Sequence, residues 1–195
     1  MSLNITETQN KNLEIENSKN NLDKPLCSDL PFPLPNYSGF MMCISGSSGS
    51  GKTTCLYSMM LKKKYKGKRQ SYKKVFDFVY VVSPTIGKSS MSKDPFSKLK
   101  AEQKYETLTL QTLNELEEIF EENKDDDKHS CLILDDVGSQ LKKNGVYQKL
   151  TQIIQNRRHN FVSIFILVQK FKDVPTGIRN NLSHFITFLP KNNIE

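Results

Sequence analysis

Apolar residues in this chain gather into short runs separated by polar stretches that carry glycine and proline, and the spacing inside each run indicates what it forms. Residues 40–45 (FMMCIS), 75–83 (VFDFVYVVS), 131–136 (CLILDD) and 161–170 (FVSIFILVQK) are β-branched, aromatic or otherwise apolar and predict strands, with FITFL at 185–189 as a last one. Helical spacing lies between them. It recurs at Leu56, Met59 and Met60; at Leu113, Leu116, Ile119 and Phe120 behind a capping box of Thr112 and Glu115; and at Val146, Leu150, Ile153 and Ile154 between Gly145 and Asn160. Apolar strands alternating with helices predict an α/β sandwich of three layers around a mostly parallel sheet, with ligand at the carboxyl edge of the strands. In such a sheet FVSIFILV is the natural strand to lie between the first strand and CLILDD.

Outside these runs the pattern fades. Residues 1–24 are rich in Asn, Lys and Glu without sustained periodicity and read as a mobile tail, and Pro25, Pro31, Pro33 and Pro35 read as an extended linker. The expected division is therefore a tail and linker over 1–35 and one domain over 36–195, as suits a chain of 195 residues. Residues 85–106 show little period of either kind.

Charge changes the picture modestly. The net charge is +7, and three lysines against five acidic residues in 1–30 leave +9 on the remainder, a balance compatible with a nucleic-acid partner. Residues 62–74 (KKKYKGKRQSYKK) hold eight Lys or Arg and two tyrosines, and read either as a surface for phosphate backbones or as a solvated basic loop. The acidic run from Glu115 to Asp127 reads as a solvated helix face. Cys27, Cys43, Cys55 and Cys131 have no C-x-x-C spacing, so they are expected to be small buried hydrophobes of a reducing compartment, neither a disulfide nor a zinc framework. No apolar run approaches the roughly 18 residues of a membrane span, and the polar start shows no signal peptide; the expectation is a cytoplasmic protein.

The chemistry concentrates after the first strand. In ISGSSGSGKTT, Gly46, Gly51, Lys52 and Thr53 fit G-x-x-x-x-G-K-[ST], a loop whose backbone N–H groups wrap a polyphosphate while the lysine neutralises it and the hydroxyl holds Mg²⁺. Gly49 adds conformational freedom, and Ser47, Ser48 and Ser50 are too small to block the anion. Thr54 follows within the helix turn whose dipole favours negative charge. Asp135 and Asp136 end an apolar strand, where the first would hold the Mg²⁺ shell and the second would orient or deprotonate water. Gln169 ends the strand expected between them and the loop, and its amide would sense the γ-phosphate or the attacking water. The bland alternatives are acids that cap a turn and an amide in an ordinary loop.

Taken in order, ISGSSGSGKTT, VYVVSPT, LILDDV, RRH before FVSIFILVQK, and VPTGIRNNLSHFITF resemble the poxvirus-type DNA-packaging ATPases of large DNA viruses and virophages, within the FtsK/HerA superfamily. The likeness covers roughly residues 38–190. It implies a P-loop NTPase of RecA/ASCE-like fold, hydrolysis of ATP with Mg²⁺, a homo-oligomeric ring, hexameric or pentameric, and translocation of double-stranded viral DNA into a capsid, in the host cytoplasm or the virion. It also implies an arginine supplied in trans, for which Arg158 is the first candidate and Arg157 and Arg179 the alternatives. Two other readings remain open at this stage. A small nucleotide kinase would use the same cradle with Arg157 and Arg158 on a lid, and a non-enzymatic assembly module would use ATP binding alone to order a ring.

Overall fold

The computed structural model describes residues 25–86 and 94–189, apart from 28, 62–63, 66–67 and 70. The tail at 1–24, residues 87–93 of the weakly periodic stretch and the last six residues lie outside the described residues. Strand β1 (Met41–Ser45) leads through the glycine loop into α1 (Lys52–Leu61), followed by an antiparallel pair of short strands, β2 (Lys64–Tyr65) and β3 (Lys68–Arg69). Next come β4 (Phe78–Val82), β5 (Lys104–Tyr105), α2 (Leu110–Asp125) and β6 (Ser130–Asp135). The chain then forms α3 (Asn144–Asn156), β7 (Val162–Val168), α4 (Thr176–Arg179) and β8 (His184–Thr187).

Six strands join in the order β5-β4-β6-β7-β1-β8, every pairing parallel. The apolar run at 161–170 thus lies between the first strand and CLILDD, as expected. A parallel strand flanked on both sides and covered on both faces carries apolar side chains on both faces, which is why VSIFILV shows no alternation; all seven of its residues are buried, Ser163 being the polar one. Phe165 alone, at 0% exposure, represents about 1.5–3 kcal/mol of apolar transfer.

Two cores fill the layers. On one face Leu113, Leu116 and Phe120 of α2 and Leu150, Ile153 and Ile154 of α3 pack on Leu132, Leu134, Ile164 and Ile166. On the other, Leu56, Met59 and Met60 of α1 join an aromatic cluster in which Phe40 lies 5.3 Å from Phe165 edge-on and 5.5 Å from Tyr72 stacked. Tyr72 donates its buried hydroxyl to the Pro35 carbonyl at 3.0 Å, so the linker is part of this core. Cys43 and Cys131 are buried in strands, as expected, while Cys27 and Cys55 are half-buried.

Local details differ from expectation. The cap of α2 is Thr109, whose hydroxyl accepts the Thr112 N–H at 3.0 Å; Thr112 is the third helical residue and buried, so the Thr112–Glu115 pair is not the capping box. The second strand begins at Phe78 and not at 75, because Val75 N–H closes a turn onto the Tyr72 carbonyl and Lys74 is left-handed at φ 56°. Within the basic run, Lys64–Tyr65 pairs antiparallel with Lys68–Arg69. Residues 104–105 form a short edge strand too brief to carry any period.

Candidate active site

The parallel register brings the strand ends to one edge. Ser45 pairs with Val168 and Asp135 with Leu167, so the glycine loop, Gln169 and the two acids leave the sheet side by side. Gly46 N–H donates to the Val168 carbonyl at 3.2 Å, and Asp136 N–H to that of Leu167 at 3.3 Å, which fixes both loops to β7.

Within the cradle, Lys52 folds its ammonium back onto the carbonyls of Gly46 (2.6 Å) and Ser47 (3.0 Å). Gly49 and Gly51 are left-handed at φ 71° and 102°, and a Cβ at Gly49 would meet nothing within 4 Å. The Ser47 and Ser50 hydroxyls are buried without a hydrogen-bond partner. A half-shielded loop with unused donors, an ammonium beside it and open space at its tip fits a polyphosphate. Thr53, half-buried, stands in the first turn of α1 beside Lys52, and Thr54 is exposed.

Burial raises the Asp135 carboxyl to about 6; the charge of Asp136 adds to the rise and Lys52 opposes it. The ammonium and the carboxylates therefore share one electrostatic neighbourhood. Asp136 is exposed and left-handed at φ 56°, a backbone that side chains other than glycine rarely adopt, and it accepts a hydrogen bond from Gln169 Nε2 at 3.1 Å. Among the described residues no group of three or more His, Cys, Asp or Glu is arranged to hold a metal by itself. A magnesium ion carried on phosphate oxygens needs only one or two protein ligands, and Thr53 with Asp135 suits it.

The three arginines are not near one another in role. Arg157 is half-buried, and its guanidinium donates to the carbonyls of Gly39 (2.9 Å), Ile154 (2.7 Å) and Asn181 (3.2 Å), joining the end of α3 to the entries of β1 and β8. Arg158 is exposed at the same amino edge, and its backbone crowds Gly39, where a Cβ would stand 2.8 Å from its Cα. Both lie a strand away from the cradle, about 16 Å for the five residues of β1. That removes them from any cis lid over their own site. Arg179 donates to the Thr176 hydroxyl at 2.9 Å and lies 5.2 Å from the Phe171 ring centroid, beside the turn that follows β7. Sequence reasoning missed Phe188, which fills the space beside Gly46 and borders that beside Gly51; a lone aromatic after an edge strand has no distinguishing spacing.

The family model described as Poxvirus A32 protein matches residues 35–195. The chain belongs to the poxvirus A32 family. Curated A32-type relatives agree: the DNA packaging protein OPG160 of Variola virus is 30% identical over 154 residues, 76% of this chain and 53% of that protein. OPG160 of Monkeypox virus is 30% identical over 154 residues, 76% of this chain and 47% of its own length. The chain thus spans about half the length of the curated relatives it matches. Solved structures are more distant. The cytoplasmic domain of the Thermomonospora curvata type VII secretion ATPase EccC is 12% identical, with TM-score 0.49, over 77% of this chain and 20% of that one. The cytoplasmic domain of EssC is 15% identical, with TM-score 0.48, over 80% and 32%. Likenesses this loose say nothing further about the A32-family chain.

Proposed function

We propose that this chain is an ATP-hydrolysing motor that translocates double-stranded viral DNA into capsids as a ring of identical subunits, working in the host cytoplasm or the virion. The observation that carries the reading is the convergence of Lys52, Asp135, Asp136 and Gln169 at one sheet edge. Its support comes from membership of the A32 family and from relatives that bear the name DNA packaging protein.

Each residue then has a task. Lys52 exchanges two backbone carbonyls for phosphate oxygens, an ammonium-to-anion contact stronger than the one it leaves. Gly46, Ser47, Ser48, Gly49, Ser50, Gly51 and Thr54 line the phosphates. Thr53 and Asp135 would hold magnesium, which would supply neutralisation of the charge developing on the phosphates. Asp136 accepts a proton from the attacking water, and Gln169, by donating its amide N–H to Asp136, leaves its amide oxygen to orient that water. Arg158 or Arg179 would reach a neighbour's site in the ring, whereas Arg157 is engaged with its own backbone. The basic run at 62–74, or residues 85–106, is the segment we expect to touch the DNA backbone.

The test is phosphate release with and without duplex DNA. Turnover should rise with DNA and collapse in Lys52→Ala and Asp136→Asn; DNA-independent turnover by a stable monomer would overturn the reading.

A further inference from the structure

The cradle has a wall that its motif does not contain. Phe188 follows β8, donates its N–H to the Ser45 carbonyl at 2.9 Å, and so extends the β1–β8 pairing up to the base of the loop. A Cβ built on Gly46 would stand 2.8 Å from Phe188 Cβ and 3.4 Å from Cδ2. One built on Gly51 would stand 3.5 Å from Cε1 and 4.0 Å from Cζ. The ring therefore reaches from the first glycine of the loop to the last. It lies on the flank of β1 opposite β7, away from Asp136 and Gln169. At Gly46 the φ is not left-handed, so glycine is needed there for close approach and not for backbone freedom. The Ser50 hydroxyl, 2.8 Å from the same point, is the other crowding atom. Across the loop the hydrogen bonds are Gly46 N–H to the Val168 carbonyl, Ser50 N–H to the Ser47 carbonyl, Cys55 N–H to the Gly51 carbonyl at 2.8 Å, and the Lys52 ammonium to Gly46 and Ser47. The ammonium must let go when phosphate enters, which leaves one backbone bond at each end, Gly46 to Val168 and Cys55 to Gly51, and the aromatic wall as the contact that spans both.

We infer that Phe188 is a positioning residue for polyphosphate binding, which crowds Gly46 and borders the space beside Gly51 and so holds the loop N–H groups in register for the anion. The inference rests on the proposed nucleotide site, and it concerns the phosphates and not the base. Displacing positioned groups by about 1 Å can cost up to ~10²-fold, and a partly rebuilt wall should cost less, about tenfold.

The experiment is calorimetric binding of Mg·ATP and of magnesium tripolyphosphate to the full chain, to Phe188→Ala, Phe188→Leu and Phe188→Tyr, and to Lys52→Ala. Phe188→Ala should weaken both ligands by the same factor, about tenfold. Phe188→Leu, which keeps the contact at Gly46 and gives up the reach to Gly51, should cost about threefold and guards against a misfolded alanine variant. Phe188→Tyr should bind like the parent. Binding of both ligands within twofold of the parent in Phe188→Ala and Phe188→Leu would overturn the inference and leave the proposed site intact. Loss of ATP affinity alone would also overturn it, because the ring would then be serving the base. A parent that binds neither ligand, like Lys52→Ala, would sink the nucleotide site itself and this inference with it.

Discussion

Replacing Asp135 with Asn should stabilise the nucleotide-free protein while removing its capacity to use Mg·ATP. Burial holds the Asp135 carboxyl at about 6 against an ordinary 3.8, with Asp136 adding to the rise. Because the folded value is the higher one, the folded chain binds this proton more tightly than the unfolded chain does. The resulting contribution is complete below about pH 4, is lost as the pH rises through about 6, and leaves an ionised, partly desolvated carboxylate above that. Two pKa units at 1.36 kcal/mol each set an upper bound of about 3 kcal/mol, and a neutral amide that still lacks water should recover about 2 kcal/mol of it. For a domain of this size that is roughly 4–8 °C in Tm. The assay is thermal melting at several pH values, in EDTA for the nucleotide-free protein and in a parallel EDTA-free series with Mg·ATP. Above pH 7 the variant should melt higher than the parent, and the gap should narrow toward pH 5. Mg·ATP should then raise the parent more than the variant, which keeps Lys52 and the loop but loses one magnesium ligand. A variant that melts at or below the parent at pH 8, or a gap that ignores pH, would refute the reasoning.

Three further outcomes follow from the same geometry. Arg157→Ala strips donors from three carbonyls at the amino edge and should destabilise by about 2–4 kcal/mol in denaturant melts, with Mg·ATP affinity unchanged below the transition. Thr109→Ala removes the cap of α2 and should cost about 1 kcal/mol, whereas Glu115→Ala, outside any cap, should stay within about 0.5 kcal/mol. Gln169→Ala should lower kcat by about 10²-fold with KM nearly unchanged, since the amide acts on water and on Asp136 and not on ground-state binding; a rise in KM alone would count against this.

The central part of this fold was readable because its demands are local and severe. A strand buried on both faces must be apolar at nearly every position, so VSIFILV, with Ser163 its one polar residue, announced itself and, with the parallel topology, gave the place of Gln169. The cradle was readable because few residue types let backbone close on an anion. What escaped has a physical reason in each case. Residues 104–105 pair through backbone alone and are too short for a period. Thr109 and Thr112 both offer a hydroxyl three residues before a hydrogen-bonding side chain or N–H, and only packing of Thr112 into the core decides between them. Arg157 and Arg158 are adjacent in sequence, yet one turns inward to carbonyls and the other outward, a choice set by the loop at Gly39 and not by composition. Phe188 depends on how β8 pairs with β1, which no window of sequence contains.

The most direct measurement of the central claim is a structure of the full chain with Mg·ADP and a planar phosphoryl analogue. The account predicts the Lys52 ammonium on the analogue, and an in-line water about 3 Å from both an Asp136 carboxylate oxygen and the Gln169 amide. An analogue bound elsewhere, or a Gln169 side chain turned away from that water, would contradict it.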